Sequence, residues 1–319
     1  KMPTTIGYGN GYQISYMNSG KMTNKGWEFR VDAVPFQNKD WRVGVYFNIA
    51  HNENKITEMP DNYIEENYTF GNGNYAYRRE EGRPMGSFYG YRYKGVYQNK
   101  DATYARDIEG NVMKDISGNA IVMRNGSYTV APGDAIYEDV NHDGVINQYD
   151  IVYLGNSNPR LTGGAGLNVS YKQFKLSAIF YGRYGQDVVN ATRLNNESMR
   201  GIDNQSTAVL RRWRNEGDQT DIPRALYGEG YNTLGSDRFV EDASYLRLKS
   251  LSFTYRLPKK AIQRWGFNNI DVYVTGYNLF TWTNYTGQDP EVKTENTYAK
   301  DTATTPASIQ LVAGFNLSF

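Results

Sequence analysis

Apolar and polar positions alternate along most of the chain. From Ile309 onward, Ile309, Leu311, Ala313, Phe315, Leu317 and Phe319 fall on one face, and Gln310, Val312, Gly314, Asn316 and Ser318 on the other. A period of two is that of a β-strand with one apolar side. The same period sets Trp27, Phe29, Val31 and Ala33 against Glu28, Arg30 and Asp32, and Trp41, Val43, Val45, Phe47 and Ile49 against Arg42, Gly44, Tyr46 and Asn48. It sets Leu161, Gly163, Ala165, Leu167, Val169 and Tyr171 against Thr162, Gly164, Gly166, Asn168 and Ser170. It then sets Phe174, Leu176, Ala178, Phe180 and Tyr184 against Lys175, Ser177, Ile179, Tyr181 and Arg183. Strands near Asp242–Leu257 and Asn269–Thr283 are less regular; Asn74–Glu81, Gly86–Tyr97 and Gly11–Asn18 are weaker candidates.

These segments predict roughly nine or ten strands of about 9–16 residues. Ordinary globular strands run about 5–6 residues, whereas a tilted strand crossing a bilayer needs about 9–11. The lengths favour an all-β, antiparallel transmembrane barrel, with apolar side chains toward lipid and polar ones toward a wet lumen. The connections are unequal. Turns near Val34–Asp40, Tyr171–Phe174 and Glu81–Gly86 are short, and a connection of about a dozen residues follows Leu257; Gln98–Pro159, Gln186–Arg238 and Asn284–Pro306 are long. With Phe319 taken as the periplasmic end, parity puts the turns near residues 36, 84 and 172 at the periplasm and the long loops outside. Inside the loop 186–238, Ser206 is the expected N-cap of a short helix carrying Ala208, Val209, Arg212 and Trp213 and ending at Gly217.

Composition removes other classes. Lys+Arg 35 against Asp+Glu 34 in 319 residues leaves no positive field for nucleic acid. With Cys 0 and His 2 there is neither a thiolate site nor a multi-histidine metal cluster. No apolar run reaches the ~18 residues of a membrane helix, and the first residues lack the core of a signal peptide. Enzymatic activity is not expected: no carboxylate pair stands out by spacing, Ser157 and Ser177 have no nearby histidine, and no glycine-rich loop opens a helix.

One motif is chemically specific. Asp139-Val140-Asn141-His142-Asp143-Gly144-Val145-Ile146-Asn147-Gln148-Tyr149-Asp150 carries oxygen side chains at loop positions 1, 3, 5, 9 and 12 and glycine at 6, the pattern of a calcium loop. Asp139, Asn141 and Asp143 would ligate through side chains, Val145 through its carbonyl, Asn147 directly or through water, and Asp150 would close the site. Aspartate in place of glutamate at position 12 resembles dockerin loops. Ile151–Leu154 reads as extended, so the expected Ca²⁺ is a structural ion in an extracellular loop. The competing reading is an Asx-rich turn without an ion. Tyr181, Arg183, Tyr227 and Tyr231 are candidates to meet substrate in the lumen or loops. For any single aromatic a structural place is favoured, and Trp27, Trp41 and Trp282 suit the interfacial girdles.

Several stretches, in order, resemble SusC-like (SusC/RagA family) TonB-dependent outer-membrane transporters of Bacteroidetes. They are Asn24-Lys25-Gly26-Trp27-Glu28, Gly86-Ser87-Phe88-Tyr89-Gly90-Tyr91, Pro132-Gly133-Asp134, the loop from Asp139, Ala243-Ser244-Tyr245-Leu246-Arg247-Leu248, Gly276-Tyr277-Asn278-Leu279-Phe280, and terminal Phe319. The resemblance implies that residues 1–319 are the C-terminal portion of a barrel, about nine or ten of roughly 22 strands. The plug domain and the TonB-contacting segment would lie outside the chain. It implies active import of oligosaccharides or peptides across the outer membrane with a SusD-like surface lipoprotein, TonB acting through the missing N-terminal part, and a possible dimer of the complex. Two alternatives stand beside it: a soluble calcium-loop β-sandwich or adhesin module, and a siderophore-type receptor.

Overall fold

The computed structural model describes residues 2–5, 14–17, 20–59, 74–292, 294–295 and 298–319. Its organising element is one antiparallel sheet of seven strands: β1 (Lys21–Gln37), β2 (Trp41–Glu58), β3 (Leu161–Tyr171), β4 (Phe174–Tyr184), β5 (Tyr245–Arg256), β6 (Asn269–Thr283) and β7 (Gln310–Ser318). Each pairs with its sequence neighbours, so the sheet is a continuous up-and-down meander. The β2–β3 register runs unbroken from Trp41↔Tyr171 to His51↔Leu161, and β3–β4 from Tyr171↔Phe174 to Leu161↔Tyr184.

Register carries the alternation across the sheet. Val31, Phe47, Ala165, Phe180, Leu248 and Phe280 form one outward row. Leu176, Phe253, Val274 and Ala313 belong to another. Phe29, Phe47, Phe253, Val274 and Phe315 are exposed, and no second layer covers them among the described residues. A sandwich would bury this face; a lipid-facing wall leaves it bare. The band is closed by aromatics at both ends. Trp41 lies against Tyr171 (4.3 Å) and Phe174 against Tyr255 (4.8 Å) at the short-turn end, while Trp27, Tyr184 and Trp282 stand exposed at the other. Between these levels β3 climbs ten residue steps, about 33 Å of strand, which a tilt near 40° reduces to about 25 Å, the height of an outer-membrane apolar band.

The inward face is polar and closely fitted. Asn168 accepts from Ser177 (2.8 Å), Ser252 and Thr275 share a hydrogen bond (2.8 Å), and Arg256 donates to Asp271 (2.7 Å). Gly166 is required by the Tyr46 ring, which lies over it: a Cβ there would come within 1.8 Å of Cε1.

Several expectations change. The irregular periods near 242–257 and 269–283 come from bulges. Lys249 is extra against β4, and β6 spends two residues, Asn278 (φ 53°) and Leu279, opposite that one, so the apolar face is restored above the break. Among the described residues, seven strands make the continuous sheet. The candidates at 74–81 and 86–97 hold only short strands in the loop layer: Ser87–Gly90 pairs with Ala76–Tyr77 and Val152–Asn156, and Tyr93–Val96 with Ala135–Tyr137. Their apolar residues, Phe88 and Tyr89 among them, are buried in protein, so the period there records a packed core rather than a lipid face. The turn at 81–86 consequently sits at the long-loop end, bonded to Ile56 near the top of β2. The turns at 38–40 and 172–173, the connection 257–268 and Phe319 share the opposite end; Phe267 and Phe319 meet there at 5.0 Å. In the candidate Gly11–Asn18, Ile14–Met17 is a strand paired with Met2–Thr5, and residues 11–13 and 18 lie outside the described residues. Ser206 does cap a turn, accepting from Ala208 N–H (3.2 Å), but the helix is a 3₁₀ segment, Thr207–Arg211.

The outward face yields a direct test. Val45→Arg, in mid-band, is expected to destabilise reversible unfolding from lipid vesicles by about 2–4 kcal/mol, and lumen-facing Thr254→Arg by less than about 1 kcal/mol. Equal midpoint shifts for the two would show that hydrocarbon does not touch Val45.

Candidate functional site

The three long connections pack into a layer at one end of the wall. Tyr91, Tyr97, Met123, Tyr137, Ile146 and Tyr231 form its largest core; Phe88, Val189 and Phe239 anchor a second. This settles one candidate contact: Tyr231 is a core residue, 3% exposed, whereas Tyr227 is exposed. The core is tied together by a group that sequence reading passed over. Asp134 is fully buried and accepts from Arg224 Nε (2.7 Å), Tyr128 Oη (2.7 Å), Ala131 N–H (2.8 Å) and Asn232 Nδ2 (3.2 Å), which joins the 59–160 and 185–244 connections. Gly133 before it holds φ 88° with the Trp213 ring against it, a place no side chain could take. The Pro132-Gly133-Asp134 run signalled the spot but not its role. Ser157, weighed as a nucleophile, is buried and accepts the N–H of Ala299 (2.7 Å).

A second network fastens the layer to the lumenal wall. Arg247 of β5 is buried and donates to Glu291 (2.9 Å), to Asp289 and to Thr281 Oγ1 (2.9 Å); Lys249 also reaches Glu291 (2.8 Å). Burial opposes the charge on Asp289, but the N–H groups of Ala307 and Glu291 together with Arg247 outweigh it and hold the carboxyl below its ordinary range. Beside this latch, Arg183 Nε donates to Tyr181 Oη (3.1 Å), and Tyr181 faces Tyr245 at 6.2 Å. Farther out, Glu241 accepts from Arg193 (3.0 Å) and Thr286 N–H (2.9 Å), and Glu197 from Arg193 (3.0 Å) and Arg238 (2.8 Å). They border a polar cleft of about 500 Å³ lined by Asn190, Arg193, Asn196, Ser206, Thr286 and Gln288.

The twelve-residue loop forms a compact turn on the outer layer. Asp139 accepts from Gly144 N–H (2.8 Å) and Asp143 from Val145 N–H (2.8 Å), while Asn141 Nδ2 donates to Asp143 (2.9 Å). His142 and Gly144 both take positive φ, so the chain turns sharply at the glycine. Asn147 caps the 3₁₀ turn Gln148–Asp150 and donates to the Val145 carbonyl (3.1 Å). Asp150 is fully buried and accepts from Val140 and Asn147 N–H (2.8 Å each). Burial raises its proton affinity against those two bonds, and the nearby charges of Asp139 and Asp143 raise it further. The acidic groups therefore lie close together. Still, no set of three His, Cys, Asp or Glu side chains makes a metal cage among the described residues, so a site would need Asn141, Asn147 and the Val145 carbonyl as well.

No family model matches the chain. It is similar to TonB-dependent receptor P3 of Formosa agariphila (32% identical over 294 residues, 90% of this chain and 27% of that protein). It is also similar to TonB-dependent receptor SusC of Bacteroides thetaiotaomicron (27% over 311 residues, 95% of this chain and 27% of that protein). The fold matches the structure of the RagAB peptide transporter, with TM-score 0.69 and 27% identity, over 99% of this chain and 31% of that one. In the open-open state of the RagAB importer the TM-score is 0.70 at 26% identity. The chain thus spans about three-tenths of the length of the proteins it matches. These relatives are receptors and transporters rather than enzymes. A bare apolar band with aromatic girdles, a polar inner face and this similarity along nearly the whole chain agree: in sequence and in fold the chain is similar to a barrel segment of SusC-like TonB-dependent receptors, which are outer-membrane proteins.

Proposed function

We propose that the whole protein imports oligosaccharides or peptides across the outer membrane, and that residues 1–319 are the C-terminal part of its barrel. The supporting observation is the single-layer wall, apolar outside and polar inside, with the long connections gathered at one end. In this reading that end is extracellular. A SusD-like lipoprotein caps the loop layer, and TonB acts through a plug in the remainder of the protein. SusC and the RagAB peptide transporter, which the chain resembles, favour this over a siderophore receptor. The bare outer face weighs against a soluble sandwich.

Within this reading the loop 139–150 binds a structural Ca²⁺, with Asp139, Asn141 and Asp143 side chains, the Val145 carbonyl, Asn147 and Asp150 as ligands. The donor set is all oxygen on a sharply turned loop, which suits Ca²⁺ better than Mg²⁺. Its work is to hold the outer layer in shape.

Two measurements test these readings. Deleting the full-length gene is expected to abolish uptake of at least one oligosaccharide or peptide pool, and the tagged receptor is expected to bring down a surface lipoprotein. Unchanged uptake of every pool would sink the assignment. For the ion, Tb³⁺ luminescence sensitised by neighbouring tyrosines should saturate on the purified full-length receptor and be displaced by Ca²⁺. Asp139→Asn with Asp143→Asn keeps acceptors for Gly144 and Val145 and should weaken binding at least about tenfold. An unaltered signal in that variant would remove the loop as the site.

A further inference from the structure

The chain is almost neutral as a whole, but its charges are sorted by face. On the inner face of the wall, Arg30 is paired with Asp32 and Arg256 with Asp271. That leaves Arg42, Lys175, Arg183, Arg247 and Lys249 against Glu28 alone on the same face. Three of these cations gather at the upper end, under the loop layer. Lys249 and Arg183 flank the Tyr181 ring at 5.8 and 5.9 Å, and Arg247 stands 5.3 Å from the Tyr245 ring. The connection between β6 and β7 answers with two carboxylates, Asp289 and Glu291, and both are spent on Arg247 and Lys249.

Arg183 has no carboxylate within ion-pair distance among the described residues; its Nε is held by Tyr181 Oη, which leaves the two terminal nitrogens of the fork. Next to it the hydroxyl of Tyr245, a residue 5% exposed, is buried without a hydrogen-bond partner and lies within electrostatic reach of Glu291 and of Arg183. A buried hydroxyl left without a partner is costly. A carboxylate would satisfy both groups at once, since a guanidinium fork offers two parallel donors and the phenol a third. The latch already shows the chemistry: Asp289 and Glu291 are carboxylates held by neighbours on the same strand.

We infer that Arg183 and Tyr245, on the Tyr181 platform, form a lumenal subsite for a carboxylate carried by the cargo, so that the transported oligomer is anionic. This rests on the import reading and deepens it. The carboxylate has two sources, the acidic side chains of a peptide or the uronate units of an oligosaccharide.

The test is equilibrium binding to the purified full-length receptor with its co-purifying partner, at low and at high salt. The probes are hexaglutamate against hexaglutamine, and tetragalacturonate against maltotetraose. One acidic probe should bind at least about tenfold tighter than its neutral counterpart, the worth of one charge-assisted hydrogen bond, and the preference should shrink with salt. Which acidic probe wins names the source. Arg183→Gln should bring the acidic-to-neutral ratio close to one, Arg183→Lys should restore part of it, and Lys172→Gln, a turn cation at the far end of the wall, should leave it as in the wild type. The subsite is overturned if acidic and neutral probes bind alike, if neither acidic probe binds, or if folded Arg183→Gln keeps the preference. Loss of uptake is read separately in cells, so an acid preference without import would sink the transport reading and leave the subsite standing.

Discussion

Hydrocarbon offers no hydrogen bonds, and the rest of the structure follows from that. Every N–H and C=O in the lipid layer must find a partner inside the protein, and strands beside strands achieve this along their whole length. Side chains then alternate across a sheet one layer thick, and each face meets a different medium. The uninterrupted ladders between β2, β3 and β4 are this requirement met without a gap. Between β4, β5 and β6 the ladder is broken at Lys249 and Asn278–Leu279, high on the wall, where β5 and β6 rise to meet the loop layer, and between β1 and β2 it shifts at Val34–Pro35, beside the short turn.

The same constraint explains why the loop layer is built differently. Outside the lipid, backbone groups have water, and stability comes from burial instead. The layer has tyrosine-rich cores and buried charged hubs, Asp134 with Arg224 and Glu197 with Arg238. A buried charge is costly unless it is paired and hydrogen-bonded, and both of these are. Arg247 is the junction between the two regimes. It belongs to a wall strand by its backbone and to the outer layer by its side chain.

Much of the fold was legible in the sequence, and the reason is period. A residue facing lipid and its neighbour facing water differ so strongly that alternation survives in β1 to β4 and β7 without any knowledge of partners. The same signal misled at 74–97. Phe88 and Tyr89 are apolar for burial in a protein core, and sequence periodicity does not distinguish hydrocarbon from protein interior. It also faltered at 242–283, because a bulge shifts the phase by one residue and only the neighbouring strand reveals it.

The sequence by itself therefore determined that this is a β-wall with one greasy side, where its strong strands lie, that its loops gather at one end, and that residues 139–150 turn sharply with acidic groups held together. These are local properties, set by alternation, turn chemistry and side-chain length. Only the tertiary structure decided that Asp134 is a hub, that Tyr231 is core while Tyr227 is surface, and that Arg183, among the described residues, lacks the carboxylate its neighbours have. Those outcomes depend on which distant segments meet. Arg224 and Asn232, which hold Asp134, and Asp289 and Glu291, which hold Arg247, lie about 40 to 100 residues away, and no spacing along the chain encodes them.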